Sequence, residues 1–267
     1  MPIIKNPRKY GNAPFAVAVV HGGPGAAGEA APVASELSSA GGVLEPLQTA
    51  ESLNGQVEEL RVVLEEYSHP PVALIGFSWG AWLGFICAAH YPHLVKKLIL
   101  VGSGPFEQGY TPGIQSTRLS RLSEKENLEV GTLTETLNDP IAEDRGAAFR
   151  RFGALFSKAD AYDPFLEASH ERDMVEYCVD IFLKVWPEAS ALRSSGKLLE
   201  LGKKIRCPVA AIHGDYDPHP AAGVEKPLLG VLKDFRFVLL EHCGHKPWIE
   251  RQAREDFFRI IKKELVS

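Results

Sequence analysis

Gly76-Phe77-Ser78-Trp79-Gly80 is a G-x-S-x-G stretch, with small residues on both sides of a serine. A serine hydroxyl is a poor nucleophile at neutral pH. It does covalent chemistry when a base lies within hydrogen-bond reach and a third group orients that base. Two later stretches offer such groups. His213-Gly214-Asp215-Tyr216-Asp217-Pro218-His219-Pro220 carries carboxylates, and Cys243-Gly244-His245-Lys246-Pro247-Trp248 carries an imidazole. An earlier stretch, His21-Gly22-Gly23-Pro24-Gly25, offers backbone amides. Its glycines let a loop approach a substrate carbonyl, and Pro24 stiffens it without supplying an N–H. Together these groups suit acyl transfer through a covalent serine intermediate.

All of them follow apolar runs of strand length. Pro14 to Val20 leads to His21, Val72 to Ile75 to the serine, Val209 to Ile212 to His213, and Phe235 to Leu240 to the last stretch. Continuous apolar runs suit strands covered on both faces of a parallel sheet. The strands place all four loops at C-terminal strand ends, where open α/β sheets bind ligands. Ala81 to His90 reads as a buried helix after Ser78, so the serine sits at a strand-to-helix turn. Other helices are expected over Glu29–Ala40, over Gln56–Tyr67 with Asn54 as N-cap, near Gly223–Leu232 and over Trp248–Leu265. Lys97 to Gly102 reads as a further buried strand.

From about Gly104 to Arg206 the alternation stops and amphipathic helix takes over. Phe149, Phe152 and Phe156 keep helical spacing, as do Met174, Tyr177, Cys178, Ile181 and Val185 on a helix expected over Glu171–Trp186. The expected fold is therefore α/β: a mainly parallel, doubly wound sheet of about six strands. Residues 1–104 and 207–267 form its core, and 105–206 form a helical lid beyond the strand ends.

The set H-G-G-P-G, G-x-S-W-G, G-x-Y-D and G-H, in that order and each after a strand, resembles the α/β-hydrolase-fold serine hydrolases over nearly the whole chain. The combination is similar to the proline iminopeptidase-like branch in particular. The resemblance implies Ser78 as nucleophile, His245 as base and Asp217 as the orienting acid. Gly214 to Asp217 followed by Pro220 fits the family's Gly-x-x-Asp pattern, with Asp215 the alternative. It implies the amides of Trp79 and Gly23 as oxyanion donors, with Gly22 the alternative, and His21 as a loop brace. His219 lies in the acid loop, His242 flanks a strand end, and His213 reads as a near-core histidine. The chain departs from that branch at Val43-Leu44-Glu45-Pro46-Leu47-Gln48-Thr49, where an Asp-Gln-Arg-Gly-type segment is usual, and at Phe77, where glycine is common. These departures bear on peptidase specificity.

Bulk composition narrows the partners. Of 267 residues, 45% are hydrophobic and 24% charged, ordinary for a globular chain with a sizeable core. The net charge of -5 gives no electrostatic reason to expect nucleic acid or an anionic membrane. No apolar run approaches the roughly 18 residues of a membrane span. The opening residues lack the apolar stretch of a signal peptide. The four cysteines form no C-x-x-C pair and fit free thiols in a cytoplasmic setting. The Gly-rich loop lacks G-x-G-x-x-G and a P-loop lysine, and no spaced ligand cluster argues for a metal, so neither cofactor nor metal is expected. The expected partner is a small-molecule substrate. Glu171, Asp173 and Glu176 could receive an ammonium or form a solvated helix face. The lid aromatics Phe149, Phe152, Phe156, Phe165, Tyr177, Phe182 and Trp186 suit an apolar acyl or alcohol group. The readings in play are hydrolysis of a small ester or amide, an aminopeptidase of proline iminopeptidase type, cleavage of a carbon–carbon bond in a diketone-type substrate, and a non-catalytic receptor or scaffold on the same fold.

Overall fold

The computed structural model describes residues 6–165 and 178–266. Six strands run parallel: β2 (Phe15–Val20), β3 (Gly42–Glu45), β4 (Val72–Phe77), β5 (Val95–Val101), β6 (Val209–Gly214) and β7 (Phe235–Leu240). All but β3 are the strands expected from the apolar runs. The polar N-terminal arm adds a seventh, β1 (Arg8–Tyr10), antiparallel to β3 at the sheet edge. The order across the sheet is β1-β3-β2-β4-β5-β6-β7. Thus β2 and β4 are neighbours, as are β6 and β7, with β5 between the two pairs.

Every residue of β4 and β6 is buried, because helices cover both faces. Successive strand side chains point to opposite faces. Leu74, Leu98 and Leu100 pack with Leu60 and Leu64 of α2 (Leu53–Tyr67) and Trp82 and Phe85 of α3 (Trp79–His90). Ile75, Ile99 and Ile212 pack with Val33 and Leu37 of α1 (Ala31–Leu37) and Phe257 and Ile261 of α10 (Arg254–Val266).

Helix boundaries differ from the sequence reading in several places: α1 spans only Ala31–Leu37, and the helix expected to end at Trp186 runs on to Ser194. Ser52, in extended backbone, is the N-cap of α2 and accepts from the Gly55 N–H at 3.1 Å, whereas Asn54 lies inside the helix. The last helix begins at Arg254, because Pro247–Ile249 forms a separate tight turn and Glu250 turns inward to other partners.

Between β5 and β6 the described residues form α4 (Ile114–Ser120), α5 (Glu124–Asn138), α6 (Arg145–Asp160), α7 (Val179–Ser194) and α8 (Lys197–Glu200). Leu122, Val130, Leu155 and Ala159 make a small core of their own, with Phe152 and Phe156 against it. α7 instead joins the main core, and Trp186 stacks on Trp82 with ring centroids 5.9 Å apart. Phe182 stacks on Trp186, and Phe149 packs on Phe182. Several aromatics expected to serve a ligand thus pack against one another. Met174, Tyr177, Glu171, Asp173 and Glu176 lie outside the described residues. β7 is followed by the loop at residue 245, and α9 (Ala222–Val231) joins β6 to β7.

Glu250 ties the helical block to the sheet. Its buried carboxylate accepts from the backbone N–H groups of Tyr162 (2.9 Å), Asp163 (2.8 Å) and Gly244 (3.0 Å). Removing such an acceptor strands three donors. Glu250→Ala should cost about 3 kcal/mol in urea unfolding, and Glu250→Gln, which keeps one acceptor oxygen, should cost less. Equal, sub-kilocalorie effects of both would show that solvent replaces the carboxylate.

Candidate active site

Ser78 has φ 51° and ψ −110°, a conformation that side chains rarely adopt. Backbone packing holds it there. A Cβ on Gly76 would lie 2.1 Å from the Gly80 carbonyl oxygen, and one on Gly80 would lie 2.5 Å from that of His21. Only glycine allows strand β4, helix α3 and the end of β2 to approach this closely. The Ser78 N–H donates to the Val101 carbonyl at 2.9 Å, which fixes the turn against β5. Trp79 opens α3, so its N–H has no acceptor within the helix and faces the helix N-terminal end. Its indole N–H donates to Gln56 Oε1 at 3.0 Å, anchoring the residue from below.

The neighbouring strand β2 delivers the His21 loop. The buried His21 ring donates from Nδ1 to the Gly22 carbonyl at 2.7 Å and accepts the Gln48 N–H at Nε2 at 3.3 Å. Burial pushes its pKa down, so the ring is a neutral brace. Gly23 has φ 44°. A Cβ on Gly22 would strike Glu29 Oε2 and the Phe77 ring, at 2.6 and 2.7 Å. Burial raises the Glu29 carboxyl, but the Lys246 ammonium, 2.7 Å away, more than offsets this and leaves it below its usual range.

On the other side, β6 and β7 deliver Asp217 and His245. His245 Nδ1 lies 2.7 Å from Asp217 Oδ2. Asp215 instead accepts the Cys243 N–H at 3.0 Å and fastens one loop to the other. Asp217 is buried, and burial alone would raise its pKa. The rings of His245, His219 and His213 around it prevail and hold it well below the usual carboxylate range. His213 is the penultimate residue of β6, buried, with Nε2 donating to the His219 carbonyl at 2.8 Å.

The two halves meet over β5. Phe77 is paired with Val101, so Ser78 lies beside Gly102 at the strand ends. Gly102 has φ 51°, and a Cβ there would sit 2.7 Å from the His245 carbonyl oxygen and 3.2 Å from Nδ1. A glycine at this point clears the way for a histidine from β7 to reach over β5 toward β4. The Phe77 ring supports His245 from below, with centroids 4.8 Å apart, and meets Trp248 edge-on at 4.6 Å. Gly102 and Phe77 were not among the expected site residues. The signal for Gly102 was a glycine directly after an apolar strand, a pattern it shares with the elbow; Phe77 stood out only as a departure.

Residues 45–251 match the alpha/beta hydrolase fold family, and the chain belongs to it. It is an α/β-family hydrolase, an enzyme class. It is 25% identical over 235 residues to pyrrolizixenacetamide deacetylase of Xenorhabdus hominickii, covering 86% of this chain and 76% of that protein. It is 26% identical over 176 residues to pimeloyl-[acyl-carrier protein] methyl ester esterase of Aromatoleum aromaticum, covering 65% of this chain and 66% of that one. Among solved structures, an esterase from Exiguobacterium antarcticum matches 98% of this chain and 95% of its own with a TM-score of 0.70, at 20% identity. That last likeness concerns the fold. No helix among the described residues is long and apolar enough to cross a membrane.

Asp217 carries a stability signature. Its folded pKa is depressed, so the folded chain binds fewer protons there than the unfolded chain. Its contribution is full above the ordinary carboxylate value and is lost as pH falls through the depressed one. Asp217→Asn should therefore unfold at lower urea than wild type at pH 7, and the gap should narrow below about pH 4. A gap that stays constant from pH 7 to pH 3 would contradict this.

Proposed function

We propose that this hydrolase cleaves a small carboxylic ester, or an amide, through an acyl-enzyme on Ser78. The observation that carries the reading is the convergence at one sheet edge of a serine at positive φ and a histidine bonded at 2.7 Å to a buried aspartate. Ser78 Oγ attacks the carbonyl while His245 Nε2 takes its proton. Asp217 holds the Nδ1–H tautomer and stabilises the imidazolium as it forms. The N–H groups of Trp79 and Gly23 receive the oxyanion, where donors fixed by packing need no reorganisation. His245 then gives the proton to the leaving alcohol or amine, and water repeats the sequence to release the acid. The two relatives, a deacetylase and a methyl ester esterase, support acyl-group hydrolysis.

Residues 105–206 act in this reading as the cap over the site, on a core of 1–104 and 207–267. Two places within it reach the site loops. The Asp160 carbonyl accepts the His245 N–H at 2.9 Å, and the Cys178 N–H donates to Gly25 at 3.0 Å. The four free cysteines favour a cytoplasmic home; rapid alkylation of the protein in freshly lysed host cells should modify all four once it is unfolded, and a disulfide found there would argue against it.

Ser78→Ala should lower hydrolysis of nitrophenyl butyrate at least about 10⁴-fold without loss of folding, and abolish fluorophosphonate labelling. Wild-type protein that is folded, unlabelled and inert toward a panel of activated esters would favour a receptor. A second comparison sets short-chain esters beside proline nitroanilide. Ester cleavage should exceed amide cleavage, and the reverse order would favour the aminopeptidase.

A further inference from the structure

Asp217 holds two imidazoles. Its Oδ2 faces His245, while Oδ1 accepts both the backbone N–H of His219 (2.9 Å) and the His219 ring at Nδ1 (2.7 Å). The two rings lie against each other, centroids 4.7 Å apart and tilted by 36°. The far side of His219 meets the helical block. Its Nε2 lies 3.5 Å from Arg118 Nη2, and Arg118 is itself held by two bonds to the buried Asp160, at 2.7 and 2.6 Å. A guanidinium has only donors. Nδ1, 2.7 Å from the Asp217 carboxylate, carries the proton it donates, and the lone pair this leaves on Nε2 faces that guanidinium. The charged and titratable groups around the His219 ring are Asp217, His245 and Arg118, with His213 beneath at the His219 carbonyl and Asp160 behind Arg118. Burial lowers the His219 pKa against the pull of Asp217, so the ring stays neutral.

We propose that His219 is a positioning residue. Arg118 holds its neutral ring as the Nδ1–H tautomer, and that N–H orients Asp217 and tempers its basicity toward His245. The inference rests on the Ser78 acyl-enzyme reading. With one oxygen tied by two donors, the carboxylate keeps its other oxygen 2.7 Å from His245 Nδ1, with His213 Nε2 farther off at 3.5 Å. Each donor also spreads the negative charge. Without the ring donor, Asp217 would draw the His245 proton harder, so that the base would remain protonated to higher pH.

The test uses His219→Asn and His219→Gln in the full-length protein, with Ser78→Ala alongside. The asparagine amide mimics an Nδ1–H donor, whereas the longer glutamine amide reaches toward Arg118 instead. His219→Gln should lower kcat for a nitrophenyl ester by roughly tenfold with little change in KM, and move the acid limb of kcat/KM about half a pH unit upward. His219→Asn should restore both. Identical behaviour of the two variants, or a rate loss with the acid limb unmoved, would overturn the positioning role. Should either variant fail to fold, ¹⁵N-histidine spectra of the wild-type protein at pH 7 decide: a neutral Nδ1–H His219 supports the proposal, and an imidazolium or Nε2–H ring sinks it. Full turnover in Ser78→Ala would remove the acyl-enzyme reading and this inference with it. Loss of turnover there with a silent His219→Gln removes this inference alone.

Discussion

A carboxylate buried away from water stays ionised only if the protein replaces what water supplied. Asp217 meets that condition through donors from two loops and, behind them, a cationic side chain of the helical block. His219 donates twice to one oxygen and His245 once to the other. The loops that carry these donors must therefore stay in register. Strands β6 and β7 run paired from Val209 and Phe235 to Gly214 and Leu240, directly beneath them. A Cβ on Gly214 would lie 2.1 Å from the Cys243 carbonyl oxygen, so the two loops pass in backbone contact. Asp215 adds its bond to the Cys243 N–H. The ion's stability is thus a property of the sheet edge as a whole.

The serine side rests on a different device. No charge holds Ser78; close backbone contact does. Gly22, Gly76 and Gly80 lack the Cβ atoms that would separate β2, β4 and α3. The strain of a positive φ at Ser78 is sustained by the burial of Trp79, Trp82 and Phe85 in the same helix. Between the two halves, Gly102 is an opening in the β5 end. The site is built by rigid packing on one side and electrostatic compensation on the other, and both converge on the space above β5.

The helical block is bound into this arrangement at two places. Glu250 collects amides from residues 162, 163 and 244, and Asp160 offers its carbonyl to His245 and its carboxylate to Arg118. At the second, the Cys178 N–H donates to the Gly25 carbonyl in the His21 loop. Movement of this block would therefore act on the same loops that carry the proposed donors and base. The stack from Trp82 through Trp186 and Phe182 to Phe149 links α3, α7 and α6, while Leu122, Val130, Leu155 and Ala159 form a separate small core.

Local pattern alone was enough for the strands, the elbow and the order of the loops. Apolar runs bounded by glycine, and small residues at fixed offsets around Ser78, express constraints that neighbouring residues impose on one another. The preference for Asp217 over Asp215 came from the register of the Gly-x-x-Asp pattern that the family resemblance implies. Ser52 and Asn54 are equally good capping types, and only the backbone angles choose Ser52. Contacts across long sequence distances were invisible: Gly102 yielding to His245, Phe77 beneath it, Glu250 gathering amides some 88 residues away, and Arg118 reaching His219 over 101. Each of these residues is an ordinary glycine, phenylalanine, glutamate or arginine in its own stretch. Their roles arise when strand order brings β4, β5, β6 and β7 side by side. The sequence by itself determined that a serine, a histidine and an aspartate stand at strand ends in a hydrolase order. Only the tertiary structure decided that the aspartate is shared by two rings, because that depends on which loops the folded sheet brings within hydrogen-bond distance.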